Sequence, residues 1–356
     1  VSSILSNDEF FMQMALNEAL KAPTSVAPNP KVGAVIVHKS QIVGSGFHRG
    51  PGHPHAEVEA IRDAESRGFR EFSKAALFCT LEPCSHLNKR TPPCAPTVAQ
   101  KRFSRVVVAH LDPNPHVKGR GIKLLRSEKL AVELGCLQQE SASINQVFIK
   151  NQLHQKPYVT MKLAMTFDGR MADDFGHSTW ITSKKSRKRV HLLRSECDAI
   201  AVGSKTIDHD DPQLNVRLGR SQSALKVFVL GKTQKSKAKL NCVKANGDQN
   251  VAILTRTPPL KKLLQKMYQE HGICHLLVEG GPSTASRFLE AGLVDRLILV
   301  YGRGLVLGQG RYGLKSSGRA LKTLPDCISF KPSHVEPIED DLWVEGYLHV
   351  YRPHSK

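Results

Sequence analysis

The stretch Leu77–Pro96 reads LFCTLEPCSHLNKRTPPCAP and holds Cys79, Cys84 and Cys94. Cys84 and Cys94 lie ten residues apart, and each follows a proline, Pro83 or Pro93. A proline just ahead of a helix start fixes the approach of the chain. A thiol at a helix N-terminus ionises more easily, because the helix dipole favours the anion. Two such thiolates repel unless a cation sits between them, and Zn²⁺ takes cysteine sulfur and histidine nitrogen in tetrahedral sites. Taken alone, the pair is also compatible with two buried thiols. A third candidate ligand weighs against that: His55 lies upstream in HPHAEVEA, with Glu57 two residues on. Three protein ligands leave a fourth position for water, and zinc makes such a water nucleophilic at neutral pH. Glu57 is placed to take the proton and hand it to a leaving amine. The expected chemistry is hydrolytic deamination of an aminated ring carbon. Cys79 reads as a core residue of a strand, His53 as structural, and His86 as either a substrate contact or a solvated loop residue.

A second chemical signal is LLVEGGPSTASRF, where an apolar strand runs into Gly280 and Gly281 and a helix begins. Bare backbone amides at such a helix start bind phosphate. This is not the G-x-G-x-x-G fingerprint, so a plain strand–helix turn stays open as a reading.

Alternating elements must position these groups. Residues 8–21 predict an amphipathic helix with Phe11, Met14, Ala15, Ala19 and Leu20 on its apolar face. KVGAVIVHKSQIVGSGFH predicts strand, turn and strand. HAEVEAIRDAESRG predicts a helix stopped at Gly68, KAALFCTLEP a strand, PCAPTVAQKRF a short helix, SRVVVAHLDPNP a strand and GIKLLRSEKL a helix. That is an α/β layer structure, expected to span 1–150. A second unit, 151–356, opens with KPYVTMKLAMTFDGR. DAIAVG, LKVFVLG, NVAILT, CHLLVEGG and DRLILVYG follow as buried strands, with helices expected at 184–195, 259–270 and 283–291. The pattern implies a mostly parallel sheet with helices on both faces. LWVEGYLHVY adds antiparallel edge strands, and LGKTQKSKAKL is read as a solvated loop.

Length, with 356 residues, allows two cores. No apolar run reaches eighteen residues, and the first residues do not read as a signal peptide. No membrane association is expected, and the expected address is the cytoplasm. In that reducing compartment disulfides are disfavoured, and a cysteine cluster points to metal or catalysis. The formal net charge of +19 suits anionic partners, either nucleic acid or small phosphorylated molecules. A general lysine bias explains the same number.

Taken together, HAEVEA, TLEPCSH, RTPPC, APNPKVGAVIV and LDPNPHVKGRG resemble the N-terminal half of the bifunctional riboflavin-biosynthesis deaminase/reductase family. KPYVTMKLAMTFDGRMA, STWITS, LLRSECDAIAVGSKTI, DDPQLNVR and VEGGPSTASRFLEAGLVD resemble that family's reductase domain, so the likeness covers most of the chain. It implies a cytidine-deaminase-like three-layer α/β/α domain followed by a dihydrofolate-reductase-like α/β domain. It implies one zinc ion per chain on His55, Cys84 and Cys94, and NADPH as second cofactor. The implied substrate is a diaminopyrimidinone carrying a phosphoribosylamino group, which is deaminated and then reduced at the ribose C1 to a ribityl chain. In the deaminase half the resemblance implies substrate contacts at Asn29, His48, Arg90 and Asn114. In the reductase half it implies Gly281, Pro282, Ser283, Thr284, Ala285 and Ser286 on the NADPH phosphates. Lys162, Ala164, Trp180, Thr206 and Asp210 then line the nicotinamide side. Ser178, Arg194, Asp210, Leu214, Arg217 and Glu279 surround the substrate, with Arg194 and Arg217 suited to a ribose phosphate. Asp210 or Glu279 would bind ribose hydroxyls or supply a proton. A homo-oligomer is expected and nucleic acid is not.

Three departures from the family pattern stand out. The loop between the zinc cysteines is one residue longer than usual. Gly231 and Lys232 stand where the family has aspartate and serine, and Gly302-Arg303 where it tends to have Ala-Pro. Lys232 is a candidate point charge for the NADPH 2′-phosphate. Two other readings remain open from sequence: a tRNA deaminase with a C-terminal binding module, and a deaminase with an inactive reductase-like domain.

Overall fold

Alternate residues of the early apolar runs go to opposite faces of one sheet, as the period-two geometry of a strand requires. The computed structural model describes residues 6–23, 26–85, 92–115, 117–178, 181–217, 225–307, 312–314 and 327–351. Its first sheet takes strands β1 (Gly33–His38), β2 (Gln41–Phe47), β3 (Ala76–Cys79), β4 (Arg105–Val108) and β5 (Ala131–Leu134) in the order β2-β1-β3-β4-β5. β1 pairs antiparallel with β2 and β3, while β3, β4 and β5 run parallel. Ala34, Ile36, Leu77, Cys79, Val106 and Val108 face α2 (Ala56–Ser66) and α3 (Cys94–Lys101). Val35, Val37, Phe78 and Val107 face α1 (Asn7–Leu20). The result is the expected three-layer α/β/α arrangement.

α1 begins with a capping box: Glu9 N donates to Ser6 Oγ and Ser6 N to Glu9 Oε2. Its buried face is Phe11, Met12, Ala15, Leu16 and Ala19. Met14 is half-buried and Leu20 exposed, against the sequence expectation. A buried helix face is wide enough to take two neighbouring residues per turn, which a search for single spaced positions overlooks. Among the described residues this unit also holds α4 (Arg120–Ser127), α5 (Gln138–Ile144) and α6 (Gln146–His154).

The chain divides after His154, because α6 runs to that residue, and the second unit spans Gln155–Val350. Tyr351 returns to the first unit. Its N–H donates to Gln146 Oε1 at 2.7 Å, and Gln146 Nε2 donates to the Tyr351 carbonyl at 2.7 Å.

The second unit holds an eight-stranded sheet. Its strands are β6 (Tyr158–Thr166), β7 (Ala199–Gly203), β8 (Lys226–Leu230), β9 (Val251–Leu254), β10 (His275–Val278), β11 (Arg296–Gly302), β12 (Lys331–Ile338) and β13 (Asp341–Tyr347). The order is β12-β13-β11-β6-β10-β7-β8-β9, parallel from β11 to β9 and antiparallel at β12 and β13. α10 (Leu260–His271) and α11 (Pro282–Glu290) pack on one face with Met161, Ala201 and Val278. α7 (Lys184–Ser195) and α9 (Asn241–Asn246) pack on the other with Ile200, Val229 and Leu277. α8 (Ser204–Asp210) follows β7 directly. Several elements lay below the reach of the sequence pattern. β5 and β12 are largely exposed, and β12 carries Pro332 and Pro337, as an edge strand tolerates. α8 and α9 span seven and six residues, too short for a helical period to declare itself.

Candidate active sites

In the first unit His55 caps the N-terminus of α2, Glu57 follows in its first turn, and Cys94 opens α3. Cys84 opens no helix, which corrects the expectation of two helix-borne thiols; its carbonyl instead accepts from Ala95 N at 3.0 Å. His55 Nδ1 lies 3.0 Å from Cys94 Sγ and 3.4 Å from Cys84 Sγ. The three ligand atoms all fall within 4.8 Å of one another. The hydrogen bond from Cys94 pulls the Cys84 thiol down to about 3, with His55 adding to the effect against burial. The same bond and burial push Cys94 up. A divalent ion between the two thiols would satisfy both sulfurs and the ring nitrogen at once, so this donor set fits zinc and leaves a fourth position open.

Glu57 is buried, and its Oε2 has no hydrogen-bond partner among the described residues. Burial is the main cause that raises its carboxyl above the usual range, while His55 pulls the other way. An unpartnered buried oxygen is costly, and here it follows within one helical turn of the candidate ligand His55. His48 lies edge-on to His55, with ring centroids 5.0 Å apart. Its Nδ1 is 3.1 Å from the Pro54 carbonyl, which only accepts, so that nitrogen carries the hydrogen. Nε2 of the neutral ring then accepts from Asn29 Nδ2 at 2.9 Å. Asn29 and His48 thus form one hydrogen-bonded group beside the metal ligands. Asn114 caps no helix; its N–H donates to Asp112 Oδ1, and its carbonyl accepts from Val117 and Lys118. That is a turn role, common for an asparagine among prolines. Arg90 lies outside the described residues.

One positioning residue escaped the sequence reading. Asn145, buried at the end of α5, accepts from Lys31 N at 2.8 Å and donates to the Lys31 carbonyl at 2.9 Å. It fixes the segment that carries Asn29. No sequence pattern marks an asparagine that pairs with backbone 114 residues away.

In the second unit the candidates gather at the carboxyl ends of the parallel strands, where open α/β sheets bind ligands. Register places Val278 beside Met161, which brings Glu279 level with Lys162. Glu279 is buried and bound by two cations. Arg194 reaches it through Nε at 2.6 Å and Nη2 at 3.2 Å, and Lys162 Nζ at 3.0 Å. Those cations outweigh burial and hold its carboxyl well below the usual carboxylate range. Glu279 thus stands as the counter-ion that holds Arg194 and Lys162 in place. Lys162, Ala164, Ser178, Arg194, Arg217 and Glu279 all line one cavity of about 250 Å³. Arg217 is exposed at its wall and has no ion-pair partner among the described residues. Leu214 is buried in the core with φ of 50°. Ser178 Oγ donates to Asp210 Oδ1 at 3.0 Å, and Trp180 lies outside the described residues.

The helix start at Gly281 is less bare than expected. Gly281 N already donates to Thr206 Oγ1 at 3.2 Å, Pro282 has no N–H, and Thr284 and Ala285 donate to the Gly281 carbonyl. Ala285 is wholly buried in the core, so its side chain meets no cofactor. The Ser283 amide and the hydroxyls of Ser283 and Thr206 remain as donors, and they fit a phosphate of a dinucleotide.

Comparison with known proteins covers both units. Residues 5–110 match the cytidine and deoxycytidylate deaminase zinc-binding region, and residues 157–344 match the RibD C-terminal domain. The riboflavin biosynthesis protein RibD of Aquifex aeolicus is 36% identical, with 94% of this chain and 97% of that protein aligned. The chain belongs to the RibD family. The RibD of Escherichia coli K12 is 33% identical over 94% of this chain and 98% of its own. The solved structure of Acinetobacter baumannii RibD, form 1, is 32% identical and superposes with a TM-score of 0.83 over 96% of this chain and 98% of that one. A Thermotoga maritima structure described as a diaminohydroxyphosphoribosylaminopyrimidine deaminase and 5-amino-6-(5-phosphoribosylamino)uracil reductase gives the same score, identity and coverage.

Set against the RibD pattern, two departures gain a physical reason. Gly231 has φ of 111°, and a methyl group there would lie 2.6 Å from Ser204 Oγ, so this backbone excludes the aspartate expected from the family. A methyl group on Gly302 would lie 1.8 Å from the Ile181 carbonyl oxygen. Ile181 lines the 250 Å³ cavity and a neighbouring one of about 490 Å³. Gly302→Ala, although it restores the family residue, is expected to push that wall and lower reductase kcat/KM by about 10- to 100-fold. Steady-state NADPH oxidation checks this, with ammonia release by the deaminase unit unchanged.

Proposed function

We propose that this enzyme of riboflavin biosynthesis hydrolytically deaminates a diaminopyrimidinone bearing a phosphoribosylamino group and then reduces the opened ribose to a ribityl chain with NADPH. The cluster of His55, Cys84 and Cys94 beside the unpartnered oxygen of Glu57 carries the reading. Zinc, when bound there, supplies a Lewis acid that makes water a nucleophile near neutral pH. Glu57 Oε2 accepts a proton from the attacking water and returns it to the departing amino nitrogen, so one water enters and one ammonia leaves. Asn29 and His48, locked together, orient the pyrimidine ring. The buried wall of the site keeps other water out.

NADPH, when bound in the second unit, supplies the hydride. The cavity carries Lys162, Arg187, Arg194 and Arg217 against the single carboxylate Glu279, an excess of positive charge suited to a phosphomonoester. Glu279 fixes Arg194 and Lys162, while Arg194 Nη1 also donates to the Asn215 carbonyl. Arg217 is the guanidinium left to grip phosphate. Lys162 Nζ, held in the cavity wall by Glu279, would supply the proton to nitrogen when bound NADPH gives hydride to the ribose C1. Arg217→Ala should raise the reductase KM by about 10- to 100-fold, the worth of a charge-assisted contact, and leave deamination unchanged. Equal failure of both activities would contradict a division into two sites.

A cytoplasmic enzyme is part of the same proposal, supported by eight cysteines without a disulfide. A homo-oligomer is supported by the exposed Phe167, Leu305 and Leu307. The deciding experiment mixes protein, the diaminopyrimidinone phosphoribosyl substrate and NADPH, and follows ammonia and absorbance together. Both signals support the proposal. Ammonia without NADPH loss leaves a deaminase with a silent second unit, and deamination of structured RNA but not of the free pyrimidine overturns the substrate.

A further inference from the structure

Glu82 is one of the most buried acids of the chain, 3% exposed, and among the described residues it has no ion-pair partner. Among the described residues its carboxyl is met by backbone N–H groups alone. Oε1 accepts from Gly121 N at 2.8 Å and Ile122 N at 3.2 Å; Oε2 accepts from Gly119 N at 2.8 Å and Asp112 N at 3.2 Å. Three of these donors belong to the start of α4, where the helix dipole favours an anion. The Glu82 N–H in turn donates to the His110 carbonyl at 3.0 Å. One residue thus ties His110, Asp112, Gly119, Gly121 and Ile122 to the segment that leads into Pro83 and Cys84.

What the 112–122 segment places on the metal ligands is an apolar cover. Val117 is wholly buried and packs with Cys84 and Cys94 in one cluster, with Val58 against it. The approach is close: a methyl group on Gly121 would lie 1.9 Å from the Pro83 carbonyl oxygen. Apolar groups and hydrogen bonds around metal ligands set solvent access, ligand orientation and metal affinity.

We propose that Glu82 is a positioning residue that fastens the 112–122 segment over the two sulfurs and thereby sets how firmly, and in what environment, the deaminase unit holds its metal. The inference rests on the reading of His55, Cys84 and Cys94 as a zinc site. It concerns no ligand; Glu82 acts through Val117 and the backbone of its own loop.

The isosteric Glu82→Gln tests it. A carboxamide turns one oxygen into a donor that faces two N–H groups, and flipping the amide only exchanges which pair is opposed. Zinc content should stay near one per chain, while the rate of zinc extraction by EDTA rises by about 10- to 100-fold. In the cobalt-substituted protein the sulfur-to-metal charge-transfer bands should shift. Val117→Ala, which leaves all four hydrogen bonds in place, should shift those bands too and quicken extraction less. If Glu82→Gln folds, by near-ultraviolet dichroism, and gives wild-type extraction and spectrum, Glu82 is only a helix cap. If Glu82→Gln does not fold, an unaltered Val117→Ala spectrum overturns the proposal by itself. Failure of the wild type to bind zinc or cobalt would instead overturn the metal site, a separate result.

Discussion

Glu57→Gln should keep its metal and lose ammonia release by a factor of about 10²–10⁴, the range that a positioned general base contributes. The isosteric amide preserves the first turn of α2 and the His55 cap, so metal content measured by atomic absorption should equal the wild type. Glutamine cannot take a proton from water and return it to nitrogen. The reductase, given substrate already deaminated, should run at its normal rate, because Glu57 belongs to the other unit. Ammonia release near the wild-type rate would mean that another group shuttles the proton, and loss of metal would mean that Glu57 holds it.

Glu279→Gln should cost the second unit about 3–5 kcal/mol, because it leaves Arg194 and Lys162 as buried cations without their counter-ion. The side chains of Arg194 and Glu279 are 12% and 9% exposed, so solvent screens the pair little. Both tryptophans of the chain, Trp180 and Trp343, lie in the second unit, and their fluorescence in a urea titration isolates its unfolding. The wild type should also show a pH signature. Its folded carboxyl titrates below the unfolded one, so the stabilisation is complete above the ordinary carboxylate range and is lost as pH falls through the depressed value. The variant should lack that acid-side loss. An unfolding free energy within a few tenths of a kcal/mol of wild type would show that the two cations find other partners.

The candidate metal site was legible because its residues sit in short segments whose local structure is decided by neighbours: a histidine at a helix start, a glutamate in the first turn, cysteines after prolines. What sequence could not show were bonds between distant backbone and side chain. Glu82, Asn145 and the fork of Arg194 on Glu279 are set by tertiary register, the last across 85 residues. Arg194, expected from sequence to grip phosphate, gives two of its N–H groups to Glu279 and one to the Asn215 carbonyl. Strand patterns were reliable where both faces are buried, as in β7, and silent where one edge meets solvent, as in β12.

The crossing of the chain after Val350 has a consequence for anyone who wishes to take the enzyme apart. The reductase fold is an insertion: polypeptide leaves the deaminase fold at His154 and re-enters it at Tyr351, where Gln146 clasps it and the His154 ring lies 5.2 Å away. A gene fragment that stops at 154 therefore lacks a part of the very half it was cut to express. Trimming at 350 removes Tyr351 and with it both hydrogen bonds to Gln146.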